Sequence, residues 1–375
     1  MSEYTYFATA ARGLEPVVAA ELRALGFDTI SETTGGVAFQ GSLSAGYKAN
    51  LWLRSATRVL LRLAHFPAQS PQALYEAARQ LPWEEFLSVY QTLAVHANVR
   101  DSAMTHSHYV ALKTKDAIVD RFRDKFGRRP SVDTRMPDVQ INVHLAADQC
   151  TISLDMSGDS LHKRGYRTRT GSAPLNEALA AGILHLAGYD GTQPFYDPMC
   201  GSGTFVIEAA LIAGNIAPGL TRERFGFMSW STFAQESWHE LLQEAREAQK
   251  PIPVPIAGSD ISGPMITMAL KNARRANVLQ HVKLRRSDIS EVTSPAETGI
   301  VLCNPPYGER IGEKKALQAL YRRIGDVYKQ RFRGHNGFIF TGNIELLKSV
   351  GLKTNQRIIL YNGPIESRLV RYALY

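Results

Sequence analysis

The chain has 375 residues, a formal net charge of +8, 44% hydrophobic and 21% charged residues, which is room for two or three domains of roughly 100 to 200 residues each and an ordinary globular composition. No apolar run approaches the roughly 20 residues of a membrane span, the first eleven residues lack the features of a secretory signal, and three scattered cysteines, Cys150, Cys200 and Cys303, argue against a disulfide scaffold and a zinc knuckle. The expectation is a cytoplasmic protein without a metal, each cysteine a small buried hydrophobe, its positive charge pointing to a polyanionic partner without establishing one.

Apolar runs alternate with helical spacing at the start of the chain: a strand at 6–8, a helix over 14–25 stopped by Gly26, and a strand at 36–39 after the turn of Thr33 to Gly36. Residues 1–66 thus read as one small α+β unit. A second, over 67–160, holds a strand at 92–99, a helix over 109–126 and a hairpin of 139–145 with 151–154. Its helix and the following loop carry Lys113, Lys115, Arg121, Arg123, Lys125, Arg128, Arg129 and Arg135. Such a cluster suits phosphates, but the interleaved Asp116, Asp120 and Asp124 favour a solvated, ion-paired face.

Residues 157–172 are rich in glycine and cations and lack hydrophobic periodicity, so an interdomain linker is placed at 161–174, with an RNA contact as a second role open to it. From 175 onwards helices at 175–187, 204–213, 265–276 and 315–332 alternate with strands at 194–197, 256–260, 282–284, 300–303 and 338–340. That alternation predicts a parallel sheet with helices on its faces. Two last runs, 357–361 and 369–374, joined around Asn362-Gly363, suit a terminal antiparallel hairpin.

Four places carry chemistry. The first predicted strand of this half ends in Asp197-Pro198-Met199-Cys200-Gly201-Ser202-Gly203-Thr204. Glycines there admit a ligand close to the backbone, helix N-terminal amides receive a carboxylate, and Asp197 accepts from an ammonium or orders the turn; an ordinary tight turn is the plain alternative. Val206 stands where a dinucleotide fingerprint has its third glycine, which disfavours a dehydrogenase. Asp260 closes the next strand, where an acid accepts from ribose hydroxyls, caps a helix, or does both. Asp288 follows the third strand, placed for an adenine amino group or for an Asx turn. After the strand at 300–303 comes Asn304-Pro305-Pro306-Tyr307. Two prolines lock the backbone, so the Asn304 amide oxygen and the Pro305 carbonyl stand as paired acceptors for a planar amino group, and Tyr307 is available to stack on an extruded base. A rigid proline turn is an equal alternative for this segment.

Taken with Thr9-Ala10-Ala11-Arg12-Gly13-Leu14-Glu15, Asp155-Met156-Ser157-Gly158-Asp159 and Arg164-Gly165-Tyr166-Arg167, these motifs give nearly the whole chain a resemblance to class I methyltransferases with a THUMP RNA-binding domain, specifically the large-subunit ribosomal RNA guanine-N2 methyltransferases. The resemblance implies a Rossmann-like domain at 175–375, a mostly parallel seven-stranded sheet with a terminal antiparallel hairpin, preceded by a ferredoxin-like α+β unit and a THUMP domain. It implies S-adenosyl-L-methionine held by Asp197, Gly201, Gly203, Asp260, Asp288 and Asn304, and a target amine held by the catalytic segment Asn304, Pro305, Pro306 and Tyr307. Ribosomal RNA is the implied partner. Transfer RNA guanine-N2, an adenine N6 amine, a protein glutamine and a noncatalytic assembly role are the rivals. Some relatives carry a second methyltransferase domain, which is not expected here because the chain ends at Tyr375. Residues 214–255 lengthen the usual gap between the first two strands; Trp238 with Leu241 and Leu242 reads as a helical core patch, and the mixture with Arg222, Arg224 and Trp230 as a lid or RNA contact. His106, His108 and His162 read as surface or linker residues, and no general base is named.

Overall fold

The computed structural model describes residues 3–167, 175–308 and 314–375. The N-terminal sheet has eight strands: β1 (Tyr4–Ala10), β2 (Ile30–Thr33), β3 (Gly36–Gly41), β4 (Ala56–Pro67), β5 (Thr92–Arg100), β6 (Ser131–Val132), β7 (Val139–Ala146) and β8 (Gln149–Asp155), in the order β2-β3-β1-β4-β8-β7-β5-β6. Alternation sets the faces, since β7 buries Val139, Ile141, Val143 and Leu145 while the residues between them are less covered. Four helices, α1 (Glu15–Ala24), α2 (Leu43–Trp52), α3 (Pro71–Gln80) and α4 (Ser107–Phe126), share one hydrophobic core with the sheet. The two α+β units read from the sequence are therefore one continuous sheet, joined where β4 pairs antiparallel with β8. On α4 the ion-paired reading of the cations holds: Arg121 and Lys125 bind Glu84, and Arg123 binds Asp120. The Arg121 hydrogen bond, partly opposed by burial, holds the Glu84 carboxyl down to about 2.

The second sheet contains β9 (Phe195–Asp197), β10 (Ile256–Asp260), β11 (Val282–Arg286), β12 (Gly299–Cys303), β13 (His335–Thr341), β14 (Thr354–Asn362) and β15 (Ile365–Ala373). Its order is β11-β10-β9-β12-β13-β15-β14, parallel except for β15, which runs against both neighbours. The helices are α5 (Glu177–Leu186), α6 (Thr204–Ala213), α7 (Gln235–Glu247), α8 (Gly263–Arg275), α9 (Lys314–Arg331) and the short α10 (Ile344–Leu347). Both faces are covered, as a parallel sheet requires. Ile300 and Leu302 of β12 enter the core shared with α5, α6 and α8, whereas Val301 and Cys303 enter the one shared with α9. All three cysteines are free and buried. No described helix is long and apolar enough to cross a membrane.

The described part of the expected linker is packed rather than loose, because its polar groups find partners inside the protein. Arg164 donates to the carbonyls of Leu161 and Arg54 and lies 3.6 Å from Glu208 of α6, and the Tyr166 hydroxyl donates to that carboxylate at 3.0 Å. The rest of the expected linker, residues 168–174, lies outside the described residues. The core-patch reading of Trp238 and Leu241 holds, but the patch belongs to the N-terminal half. Phe225, Phe227, Trp230, Trp238 and Leu241 join the core of the eight-stranded sheet, Leu242 packs against it, and Trp238 stands edge-on to Tyr47, Phe225 and Phe227. Arg222 turns inward and donates to the carbonyls of Ser157, Asp159, Ser160 and Lys163, so it clamps the junction.

Removing the Trp238 ring leaves a cavity between halves of the chain far apart in sequence. Trp238→Ala should lower the free energy of unfolding by about 3–5 kcal/mol, read as a fall in the urea midpoint, while His239→Ala on the exposed side of α7 should stay within about 0.5 kcal/mol of the native protein.

Candidate active site

Parallel strands end on the same edge of a sheet, and the strand order here reverses between β9 and β12, the place where an open α/β sheet forms a ligand crevice. At the end of β9 the chain turns through 198–203 into α6. Gly201 and Gly203 take left-handed φ values of 51° and 86°, which glycine adopts without strain. The two have different tasks. A Cβ on Gly203 would lie 3.0 Å from Ala269, so this glycine seats α6 against α8, whereas a Cβ on Gly201 would meet nothing within 4 Å and the turn is open on that side.

Asp260, at the end of β10, ties the turn down. Its Oδ2 accepts from the Gly201 amide at 2.9 Å and its Oδ1 from the Ser262 amide at 2.8 Å. Below the turn the Tyr196 hydroxyl and Ser259 Oγ lie 2.8 Å apart, and Ser259 also donates to the Pro198 carbonyl. Asp197 is buried, with Oδ1 accepting from the Met199 amide at 2.9 Å. Burial first, and the Asp260 charge second, push its carboxyl well above the usual carboxylate range. A cation at this position would relieve that cost.

Asp288 makes the Asx turn that its position suggested. Its Oδ1 accepts from the amide and hydroxyl of Ser290 at 2.8 and 2.6 Å, bonds that hold its carboxyl below the ordinary value, and Arg323 lies 3.9 Å away. Among the described residues Oδ2 of Asp288 has no hydrogen bond, and no hydrogen bond or ion pair joins Asp288 to the other predicted site residues.

Asn304 leaves the end of β12, the central strand of seven. Its Oδ1 is buried and has no hydrogen-bond partner among the described residues, a condition most buried acceptors avoid. Pro305 is buried and Pro306 exposed. Tyr307 lies against Gly342, where even a Cβ would come within 2.8 Å of its ring, and its hydroxyl accepts from Asn362 Nδ2 at 3.4 Å. The structure thus puts Gly201 and Asp260 in direct contact, sets Asp197 within reach of the Asp260 field, and places Asn304 to Tyr307 just past the end of β12, the strand next to β9.

Two residues near the site were not legible in the sequence. Arg167 donates to the Thr204 hydroxyl and to the Leu175 carbonyl and pairs with Glu177, so the junction segment braces the first residue of α6. Asn362, noted only as a turn residue, holds Tyr307. The Arg-Gly-Tyr-Arg run was conspicuous, but nothing in it reveals that its last arginine reaches Thr204. His162, a residue of the packed junction, is lowered to about 4 by burial and then by the Arg164 charge, so it is neutral at physiological pH.

Seven strands in this order, closed by an antiparallel hairpin and carrying a glycine turn at the reversal point, make the C-terminal half a Rossmann-like class I methyltransferase fold. Comparison narrows the class to a family. The chain belongs to the RMKL-like methyltransferase domain family, whose model matches residues 164–371; a THUMP domain matches 68–155 and an RlmL ferredoxin-like domain matches 5–60. It is 45% identical over 379 residues to the ribosomal RNA large subunit methyltransferase K/L of Syntrophotalea carbinolica, covering 98% of this chain and 53% of that protein. It is 43% identical over 371 residues to slr0064 of Synechocystis sp., provisionally named an RNA methyltransferase, covering 99% of this chain and 97% of that one. The chain therefore spans about half the length of the K/L relatives it matches. Among solved structures, SMU.472, crystallised with SAH, superimposes with a TM-score of 0.91 at 34% identity, covering 100% of this chain and 99% of that one.

Because the folded Asp197 carboxyl is raised above its unfolded value, its ionisation opposes folding. That cost is absent below the unfolded pKa, about 3.9, and grows as pH rises towards the folded value. Asp197→Asn should match the native protein in urea unfolding near pH 4 and exceed it at pH 8; a native protein more stable than the variant at pH 8 contradicts the burial argument.

Proposed function

We propose that the protein transfers a methyl group from S-adenosylmethionine to the exocyclic N2 of a guanine in 23S ribosomal RNA. The observation that carries this reading is the buried Oδ1 of Asn304, which has no partner among the described residues and stands at the switch point of the sheet. A buried acceptor without a donor costs about 1–3 kcal/mol, and an amino group brought by the substrate removes that cost.

The residues present fit the cofactor. The open face of Gly201 and the first amides of α6 suit a carboxylate. The buried carboxyl of Asp197 suits an ammonium, and each oxygen of Asp260 keeps acceptor capacity for ribose hydroxyls beyond the one amide it already binds. Oδ2 of Asp288 is available to an adenine amino group. When bound, S-adenosylmethionine supplies a methyl group already activated by the positive charge of its sulfonium.

The chain's own contribution is placement. Asn304 Oδ1 and the Pro305 carbonyl accept the two hydrogens of the guanine amine, which turns its lone pair towards the cofactor, and Tyr307 stacks on the flipped base. Tyr307 is held for that task by Asn362 and Gly342. Holding both reactants in line supplies most of the acceleration, and the proton released by N2 passes to water. The choice of ribosomal RNA is supported by the names of the K/L relatives and by the THUMP domain, and the cofactor by the SAH bound to SMU.472.

The test is single-turnover transfer of labelled methyl to 23S ribosomal RNA and, separately, to transfer RNA. Asn304→Ala should lower the rate on ribosomal RNA by about 10²–10³-fold, the order seen when one positioning hydrogen bond is lost, with affinity for the cofactor kept within a few-fold. Label in transfer RNA alone, or a near-native rate for Asn304→Ala, overturns the reading.

A further inference from the structure

A second cleft, of about 470 Å³, opens where the N-terminal sheet meets the catalytic one. Its walls are Arg12 in the loop after β1, Thr57 at the start of β4, Asn176 and Leu179 at the start of α5, and Tyr361 with Asn362 at the tip of the β14–β15 hairpin. These walls are held rigidly to one another. Gly13, at φ 92°, sits where a Cβ would lie 2.7 Å from the Ile359 carbonyl oxygen, and Leu14 fills the space left by Gly182, whose Cβ would meet it at 2.6 Å. Close packing of this kind leaves no slack between the two halves.

The lining has a definite chemistry. The Arg12 guanidinium lies over the Tyr361 ring, 5.3 Å from its centroid, and has no hydrogen bond or ion pair among the described residues. Glu366, on the neighbouring strand, is hydrogen-bonded by Arg368 and by the Tyr361 hydroxyl and feels the Arg12 charge without a direct ion pair to it. Asn176 uses its Oδ1 to cap α5 by accepting from Ala178 and Leu179, which leaves its Nδ2 to donate elsewhere. No carboxylate lines the cleft. A guanidinium fork and an amide donor beside an aromatic ring and an aliphatic floor match a phosphate joined to a sugar and a planar base.

Position makes the match specific. Asn362 is a wall of this cleft and also the partner of the Tyr307 hydroxyl, so the cleft adjoins the Asn-Pro-Pro-Tyr segment. A flipped nucleotide stays tethered to its neighbours, and their phosphates must lie beside the pocket that receives the base. We infer that this cleft holds the nucleotide next to the methylated one, its phosphate on Arg12 and Asn176 and its sugar and base along Tyr361 and Leu179. The inference rests on the RNA-methylation reading above and adds a recognition subsite built from both halves of the chain.

The test uses the full chain, a 23S ribosomal RNA transcript for filter binding over a range of salt, single-turnover methylation of the same transcript, and a separate titration with S-adenosylhomocysteine. Arg12→Ala should weaken RNA binding by about tenfold and reduce the slope of log affinity against log salt by about 0.7–0.9, the loss of one phosphate contact, with S-adenosylhomocysteine affinity within about twofold of native. Arg12→Lys should keep the salt slope and lose part of the affinity, because an ammonium neither stacks nor forks. Native RNA affinity and slope in Arg12→Ala, from a protein that does methylate the transcript, overturn the subsite alone, as does a parallel fall in S-adenosylhomocysteine affinity. Arg12-dependent RNA binding by a native protein that transfers no methyl overturns the methylation reading and leaves the cleft standing.

Discussion

The structure depends on a polar edge that the described residues do not satisfy by themselves. Asn304 presents a buried oxygen with no donor among the described residues, and Asp197 presents a carboxyl whose ionisation is opposed by burial. Neither can relax. Asn304 follows the central strand of a seven-stranded sheet, whose alternate side chains are locked into two separate cores, and two prolines fix the backbone after it. Asp197 is pinned by its own turn and Asp260 by the glycine it binds. A cofactor with an ammonium and a substrate with an amine would each remove one of these costs, so the cost becomes affinity for the correct ligands.

The same edge is tied to the rest of the chain through α6. Thr204 at its start is held by Arg167, and Glu208 one turn later by Tyr166 and Arg164, all three from the junction that follows the eight-stranded sheet. The insertion between β9 and β10 turns back to bury Trp238 in the N-terminal core, and Arg222 closes the junction over four carbonyls. The THUMP and catalytic parts are thus packed as a continuous body. On the proposed reading, an RNA held by one part would reach the other at a set distance and orientation, the geometric requirement for presenting a single base to a single amide.

Much of the catalytic half was legible in the sequence because buried parallel strands are short apolar runs, and their C-terminal ends carry the glycine, acid and proline signals that mark a switch point. The N-terminal half was less so. In β4 the pair Leu60-Leu61 and the flanking Arg58 and Arg62 break the alternation, and a register shift between Arg62 and Ala64 breaks it again. Helix α2 is apolar nearly all round, burying Gly46, Tyr47, Ala49, Asn50 and Leu51, so it lacks the polar face that reveals a helix. The single sheet was hidden because β4 and β8 are distant in sequence and only their pairing unites the two units. Residues 157–167 look like a linker by composition, yet hydrogen bonds within the fold engage their polar groups, and the four carbonyls that hold Arg222 leave no mark in the pattern of charges. Asn362 reads as a hairpin turn, and its hold on Tyr307 is visible only in three dimensions.

Mass-spectrometric analysis of the nucleosides of 23S ribosomal RNA, after incubation with the protein and isotope-labelled S-adenosylmethionine, tests the account most directly. It predicts label in N2-methylguanosine, appearing about 10²–10³-fold more slowly when Asn304 is replaced by alanine. Label in N6-methyladenosine, or N2-methylguanosine formed equally well without the Asn304 amide, contradicts it.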